Sequence, residues 1–171
     1  MVIQLMRMLS GGQTGADQAG LMVARRFGLT TGGRMPHGFR TLTGARPDLA
    51  RLYGLTEDAS SSYAPRTMAN VRDSDGTLRL AGVFDSAGER CTLTAIRSLR
   101  KPYFDVDLPR WSEEDIAAAA RWLAIHQIVT LNVAGNSDRT YPGAFARSAE
   151  VLTQLFTAIG LRPVPSSASR P

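Results

Sequence analysis

A nearly continuous apolar run from Val2 to Leu9 leads directly into Ser10-Gly11-Gly12-Gln13-Thr14-Gly15, and a helical pattern then extends to Phe27. An apolar run without alternation suits a strand buried on both faces of a parallel sheet. The helix that follows would turn Ala16, Ala19, Gly20, Val23 and Phe27 inward, the spacing of one face of a 3.6-residue period. Gly28 falls just past its end, where the backbone commonly takes a positive φ. A buried strand that leaves through glycines into a helix is half of a βαβ unit, and such units return to a parallel neighbour by a right-handed crossover.

The same alternation returns in the second half of the chain. Gly76 to Phe84 reads as a strand introduced by the Asp75-Gly76 turn, and a helix from Glu89 to Lys101 carries Leu93, Ile96 and Leu99 inward. Arg97, Arg100 and Lys101 occupy its last turn, where cations complement the helix dipole, and Pro102 stops it. Tyr103 to Asp107 is a short strand, and Ser112-Glu113-Glu114-Asp115 has the layout of a capping box for a helix to Gln127. Ile128 to Ala134 reads as another buried strand. Pro142 opens a last helix, with Phe145, Ala149, Leu152, Phe156 and Ile159 on one face. The expected fold is α/β with a mainly parallel sheet, in one domain over residues 1–162. The Ser/Pro-rich residues 163–171 read as a disordered tail. Leu29 to Ser62 holds seven Gly or Pro residues and shows no clear period; a loop that long is uncommon in a compact domain, so the segment is either a functional loop or one whose elements the pattern hides. A short helix from Tyr63 to Asp73 then sets Arg66 and Asn70 one turn apart.

Composition narrows the classes. With 43% hydrophobic and 20% charged residues among 171, the chain is not an intrinsically disordered one. No apolar run approaches the ~18 residues of a spanning helix, and no signal-peptide layout opens the chain. The single cysteine, Cys91, excludes an internal disulfide framework. The expectation is a soluble cytoplasmic protein without a membrane partner. A net charge of +5 and a pI near 10.1 raise nucleic acid as a partner. However, 19 of the 20 basic residues are arginines scattered along the chain, without the blocks that bind nucleic acid. A small-molecule partner is favoured over DNA or RNA.

In an open parallel sheet, ligands bind beyond the carboxyl ends of the strands, where the strand order reverses. Three loops leave strands there: Ser10 to Gly15, Asp85 to Thr92, and Gly135 to Tyr141. Each runs toward a helix start, whose unpaired N–H groups suit an anion. In the first loop Ser10, Gly11, Gly12, Gln13 and Thr14 are candidate ligand contacts, with Asp17 one turn on. Thr14 and Asp17 also fit a capping pair. Gly88, Arg90 and Thr92 could hold a phosphate, or could form an ordinary helix cap around Glu89. Asp75 could offer a carboxylate or simply make a turn. Asn132 and Gly135 mark the end of the last strand, and Arg66 and Asn70 would close the pocket. Gly12, Arg90 and Asn132 are thus expected around one cleft. With His37 and His126 far apart and one cysteine, no metal site is expected. No catalytic set stands out, although Asp17 and Glu89 are the acids best placed to activate water.

Taken together, these residues resemble the putative molybdenum carrier family, the circularly permuted YpsA-like branch of the SLOG Rossmann-like superfamily. The resemblance rests on Ser10-Gly11-Gly12-Gln13-Thr14-Gly15-Ala16-Asp17, on Tyr63 with Arg66-Thr67 and Asn70-Val71, and on Ser74-Asp75-Gly76-Thr77-Leu78. It continues through Cys91-Thr92, Lys101-Pro102, and Leu131-Asn132-Val133-Ala134-Gly135 followed by Pro142-Gly143. It implies a Rossmann-like three-layer sandwich, a homo-oligomer, and a nucleotide or nucleotide-derived anionic ligand such as the molybdenum cofactor. A carrier or sensor is the leading reading. A phosphoribohydrolase-like enzyme and a DNA- or RNA-binding protein are the alternatives. Two segments depart from the family pattern. Gly32-Gly33-Arg34-Met35-Pro36-His37-Gly38 lacks the family's Trp and Lys, and Ser86 to Thr92 is longer than its Gly-Gly-Thr turn.

Overall fold

The structure is a computed structural model and describes residues 3–165. Its elements are β1 (Arg7–Leu9), α1 (Ala16–Arg26), β2 (Thr30–Met35), β3 (Arg40–Thr41), β4 (Gly44–Ala45), α2 (Asp48–Tyr53) and β5 (Leu55–Glu57). There follow α3 (Tyr63–Arg72), β6 (Gly76–Ala81), α4 (Ala87–Leu99), β7 (Tyr103–Asp107), α5 (Glu113–Ile125), β8 (Thr130–Gly135) and α6 (Ala144–Ala158). Six strands form one sheet in the order β5-β2-β1-β8-β6-β7, and every pairing in it is parallel. In the register, Met8 of β1 lies between Thr31 of β2 and Leu131 of β8. The short pair β3–β4 is antiparallel and stands outside the sheet. This is a Rossmann-like α/β sandwich.

Period-two alternation along the central strands gives the sheet two different faces. Met8, Leu78, Leu80, Leu131 and Val133 belong to the main hydrophobic core. On that side α1, α5 and α6 pack against one another, and Phe27 meets Phe156 edge to face at 5.6 Å. The intervening residues Thr77, Arg79 and Asn132 are buried but polar. They lie on the side of α3 and α4, where only a small apolar cluster of Val71, Ala95 and Ile96, joined by Met68 and Leu99, holds the helices together. The apolar face carries the stability, and the polar face leaves room for a ligand.

The sequence expectations meet the structure unevenly. The first strand is shorter than the apolar run: β1 begins at Arg7, Met6 is 65% exposed, and Val2 lies outside the described residues. Leu29 to Ser62 is not a loop. It contains two sheet strands, a hairpin and a helix, which went unseen because β2 (Thr-Thr-Gly-Gly-Arg-Met) has no alternation and β5 is only three residues long. The buried face of α6 is Ala144, Ser148, Val151, Leu152, Leu155 and Phe156, rotated from the expected stripe, of which only Leu152 and Phe156 are fully covered. Of the expected tail, Val164 donates its N–H to the Arg26 carbonyl at 2.8 Å, and residues 166–171 lie outside the described region. Among the described residues no helix is long and apolar enough to cross a membrane.

The capping box is present as read. Ser112 Oγ accepts from the Asp115 N–H at 3.4 Å, and the Ser112 N–H donates to Asp115 Oδ2 at 2.8 Å. Ser112→Ala should therefore destabilise the protein by about 1 kcal/mol. In thermal denaturation that is a fall of roughly 2–4 °C in Tm for a domain of this size. An unchanged Tm would show that the box contributes nothing to α5.

Candidate functional site

The chain builds its sheet outward in two directions. β1 leads to β2 and β5 on one side, β6 leads to β7 on the other, and β8 inserts between β1 and β6. The loops that leave β1 and β6 therefore diverge, and a crevice opens above the carboxyl ends of β1, β8 and β6. A cavity of about 320 Å³ occupies it.

The β1–α1 turn supplies Gly11, Gln13 and Asp17 to the cavity wall. Gly11 is required for a close approach: a Cβ there would coincide with the Arg66 guanidinium of α3. Arg66 Nη1 reaches Asp17 Oδ2 at 3.3 Å, and the guanidinium lies 5.3 Å from the Tyr63 ring centroid. Asp17 does not cap through Thr14. The residue before α1 is Gly15, at φ 85°, and the Asp17 carboxylate accepts from the Gln13 N–H at 3.2 Å. Gln13 ties the cavity mouth together. Its Oε1 accepts from the N–H groups of Thr14 and Leu42, both at 2.9 Å, and its Nε2 donates to Tyr63 Oη at 3.2 Å.

Ser10, Gly12 and Thr14 do not line the cavity. Ser10 Oγ donates to the Asp17 carbonyl at 2.9 Å and accepts from the Gly12 N–H at 3.1 Å, so it braces the turn from behind. Gly12, at φ 70°, faces Met35 and Leu55.

Asn70 lines the cavity, but its amide is occupied. Oδ1 accepts from the Arg34 N–H at 2.8 Å and Nδ2 donates to the Arg34 carbonyl at 3.2 Å, which pins β2 to α3. Asn132 lines it as well, with Nδ2 donating to Thr77 Oγ1 at 3.2 Å. Beside it are Gly135 and, beyond the strand, Asn136. Asn136 accepts from the Gly82 and Val83 N–H groups at 2.9 and 2.8 Å, fastening the β6 loop to the β8 loop.

α4 presents its opening turn. Ser86 Oγ accepts from the Glu89 N–H at 3.3 Å, and Ser86, Ala87 and Gly88 all border the cavity, as do Cys91 and Thr92. The unpaired N–H groups and the positive dipole end of a 13-residue helix thus stand at the wall. Arg90 does not join them. Successive helical residues are turned by about 100°, so Arg90 leaves the face shared by Gly88 and Thr92, and its Nη1 donates to the Asp85 carbonyl. Asp75 is further away still. It sits at the amino ends of the strands, where Oδ2 accepts from the Val129 and Thr130 N–H groups at 3.0 and 2.7 Å and joins the start of β6 to that of β8.

The electrostatics centre on two carboxyls and a buried cation below the cavity. Arg79, in the middle of β6, donates through Nε to Asp105 Oδ1 at 2.8 Å and through Nη1 to Glu89 Oε2 at 3.4 Å. Phe84 and Tyr103 flank it, with ring centroids 5.2 and 5.4 Å from its guanidinium carbon. Burial pushes the Glu89 carboxyl up to about 7. Arg79 opposes that rise, and the neighbouring Asp17 and Asp105 charges add to it. Burial also raises Asp17, against the lowering effect of Arg66 and of backbone N–H donors. Sequence reasoning missed Arg79, although an arginine inside Leu-Arg-Leu-Ala of a buried strand must find a counter-charge. It also missed Ser86, Leu42, Ser137 and Thr140 of the lining.

A carboxyl with a folded pKa of about 7 against an ordinary value of 4.5 binds its proton more tightly when folded. The stabilisation is complete below about 4.5 and is lost as pH rises through about 7. Its size is on the order of 3 kcal/mol. Glu89→Gln should remove this dependence, so that the variant gains on the wild type in Tm between pH 5 and pH 8. Parallel Tm curves for the two proteins over that range would contradict the assignment.

No curated protein matches the chain. Its fold is similar to the crystal structure described as a "Putative molybdenum carrier protein" from Syntrophus aciditrophicus SB, with a TM-score of 0.83 and 33% sequence identity over 91% of this chain and 97% of that one. Residues 8–156 match the circularly permutated YpsA SLOG family. That match spans most of the chain and includes every strand and helix lining the cavity, and the protein belongs to this family.

Proposed function

We propose that the protein binds a nucleotide or nucleotide-derived anionic small molecule in the switch-point cavity and acts as its carrier or sensor. The observation that carries this reading is the meeting, around one cavity, of the α4 opening turn with the Gly11–Arg66 approach. A volume of about 320 Å³ lies at the low end of the range for small-molecule sites. It suits part of a nucleotide, with the remainder at the mouth beside Tyr63 and Leu42. The anionic group is assigned to Ala87 and Gly88, whose N–H groups open α4, with the Arg66 Nε across the cavity left without a protein partner. A Cβ built at Gly88 meets nothing within 4 Å, so space is open beside that turn.

The similar protein named a molybdenum carrier supports molybdenum cofactor as one such cargo. Among the described residues no group of three His, Cys, Asp or Glu side chains could hold a bare metal ion. A cytoplasmic location, supported by the lone Cys91, and assembly into a homo-oligomer, supported by the family resemblance, belong to the same proposal. The partner is a small molecule rather than nucleic acid.

A thermal-shift series with AMP, NAD, a cyclic dinucleotide and molybdopterin tests the proposal. Ligand at about 100 times Kd should stabilise by about 2.7 kcal/mol, which is a rise of roughly 5–10 °C for this size. Ala87→Pro should cut that rise by at least half. Proline suits the first helical position after extended Ser86 (ψ 157°) and removes one N–H from the turn. No shift with any member of the series, or a full shift in the proline variant, would overturn the reading.

A further inference from the structure

Two large side chains at the cavity mouth keep their apolar surface in water. Leu42 and Tyr63 both line the cavity, yet they are 43% and 41% exposed. Neither stands there on a slack segment. Leu42 occupies the turn of the β3–β4 hairpin, where Thr41 Oγ1 donates to the Gly44 carbonyl at 2.7 Å and accepts from the Thr43 N–H at 3.2 Å. Tyr63 is the first residue of α3. A single amide holds both, since Gln13 Oε1 accepts from the Leu42 N–H and Gln13 Nε2 donates to Tyr63 Oη. These bonds use a backbone N–H and a ring hydroxyl, so they fix the two residues and leave the apolar surfaces uncovered. Apolar surface held open at the rim of a cavity marks a place that a ligand covers.

The Tyr63 ring narrows what that ligand group can be. The Arg66 guanidinium carbon lies 5.3 Å from the ring centroid and covers one face. The other face and the ring edge are left for a ligand, and a π-face is best met by a flat ring. The cavity itself, at about 320 Å³, takes only part of a nucleotide. In a nucleotide the sugar separates the phosphate from the base. With the phosphate on the opening turn of α4, the base emerges at the mouth, where Tyr63 and Leu42 stand.

Resting on the proposed function, we infer that Tyr63 is the stacking platform for the base of the bound nucleotide and that Leu42, on the β3–β4 hairpin, covers that base. Gln13 is a positioning residue, because it sets where both groups stand before the ligand arrives. Groups already held in place lose little freedom on binding, so the contact is opposed by a small ordering cost. Stacking on an aromatic side chain raises the affinity for a base by roughly 5- to 150-fold.

Isothermal titration of the full chain with AMP and with ribose 5-phosphate, which keeps the sugar and phosphate and lacks the base, measures the contact. The wild type should bind AMP at least about tenfold more tightly. Tyr63→Leu keeps apolar bulk at an exposed position and removes the ring. It should weaken AMP about tenfold and change ribose 5-phosphate by less than about twofold. Tyr63→Phe loses the bond to Gln13 and keeps the ring, so its affinity for AMP should stay within about threefold of the wild type. Equal binding of AMP and ribose 5-phosphate by the wild type overturns the inference and leaves the phosphate seat, with the proposed function, standing. Equal losses in the leucine and phenylalanine variants overturn it too, because Tyr63 would then act only as a tether for Gln13. If the leucine variant does not fold, the wild-type comparison decides. Should neither compound bind, the inference also falls, while a thermal shift with molybdopterin or the cyclic dinucleotide would leave the proposed function standing.

Discussion

A guanidinium in the middle of a central strand has to be answered by carboxylates, and Arg79 is answered from two directions. Asp105 comes from the neighbouring strand β7 and Glu89 from the helix that follows β6. The pair with Asp105 holds the edge strand in register, and the contact with Glu89 sets where the first turn of α4 sits relative to the sheet. A buried ion pair is weak support for stability in itself, because desolvation offsets most of the attraction. Its value here is positional. It fixes the opening turn of α4 beside the carboxyl end of β8, and the cavity exists because that turn is held there.

The second constraint is the unequal treatment of the two sheet faces. Leu78, Leu80, Leu131, Val133 and Met8 give one face a continuous core under α1, α5 and α6. On the other face the same strands carry Thr77, Arg79 and Asn132, and α3 and α4 share only a small apolar contact. A chain of polar links replaces the missing apolar ones: Asn70 holds Arg34, Asp17 holds Arg66, and Gln13 holds Leu42 and Tyr63. Groups of this kind can exchange a protein partner for a ligand at small cost. A close-packed apolar interface cannot.

Much of the scaffold was legible in the sequence, because burial on two faces, capping and helix termination are local signals. β7 and the Ser112–Asp115 box appear where their residues place them. The cavity loops were legible too, because each follows a buried strand and runs into a helix start. The side chains that point into the cavity were less so. Gly11 reads as a place for a ligand to approach, but the group that approaches is Arg66. Arg90 reads as a phosphate contact, and one step of helical rotation removes it. Asp75 reads as a ligand contact, yet it stitches the far end of the sheet. The high pKa of Glu89 depends on burial between α4 and β6, which no local pattern reports.

The central claim is that a nucleotide sits at the switch point with its anion on the first turn of α4. Amide chemical-shift mapping with AMP measures that position without any substitution. The account predicts the largest shifts at Ala87 and Gly88, with further ones at Gly11 and Gly135. Shifts confined to the separate hollow around Arg25, Tyr53 and Val164, or no shifts at all, would contradict it.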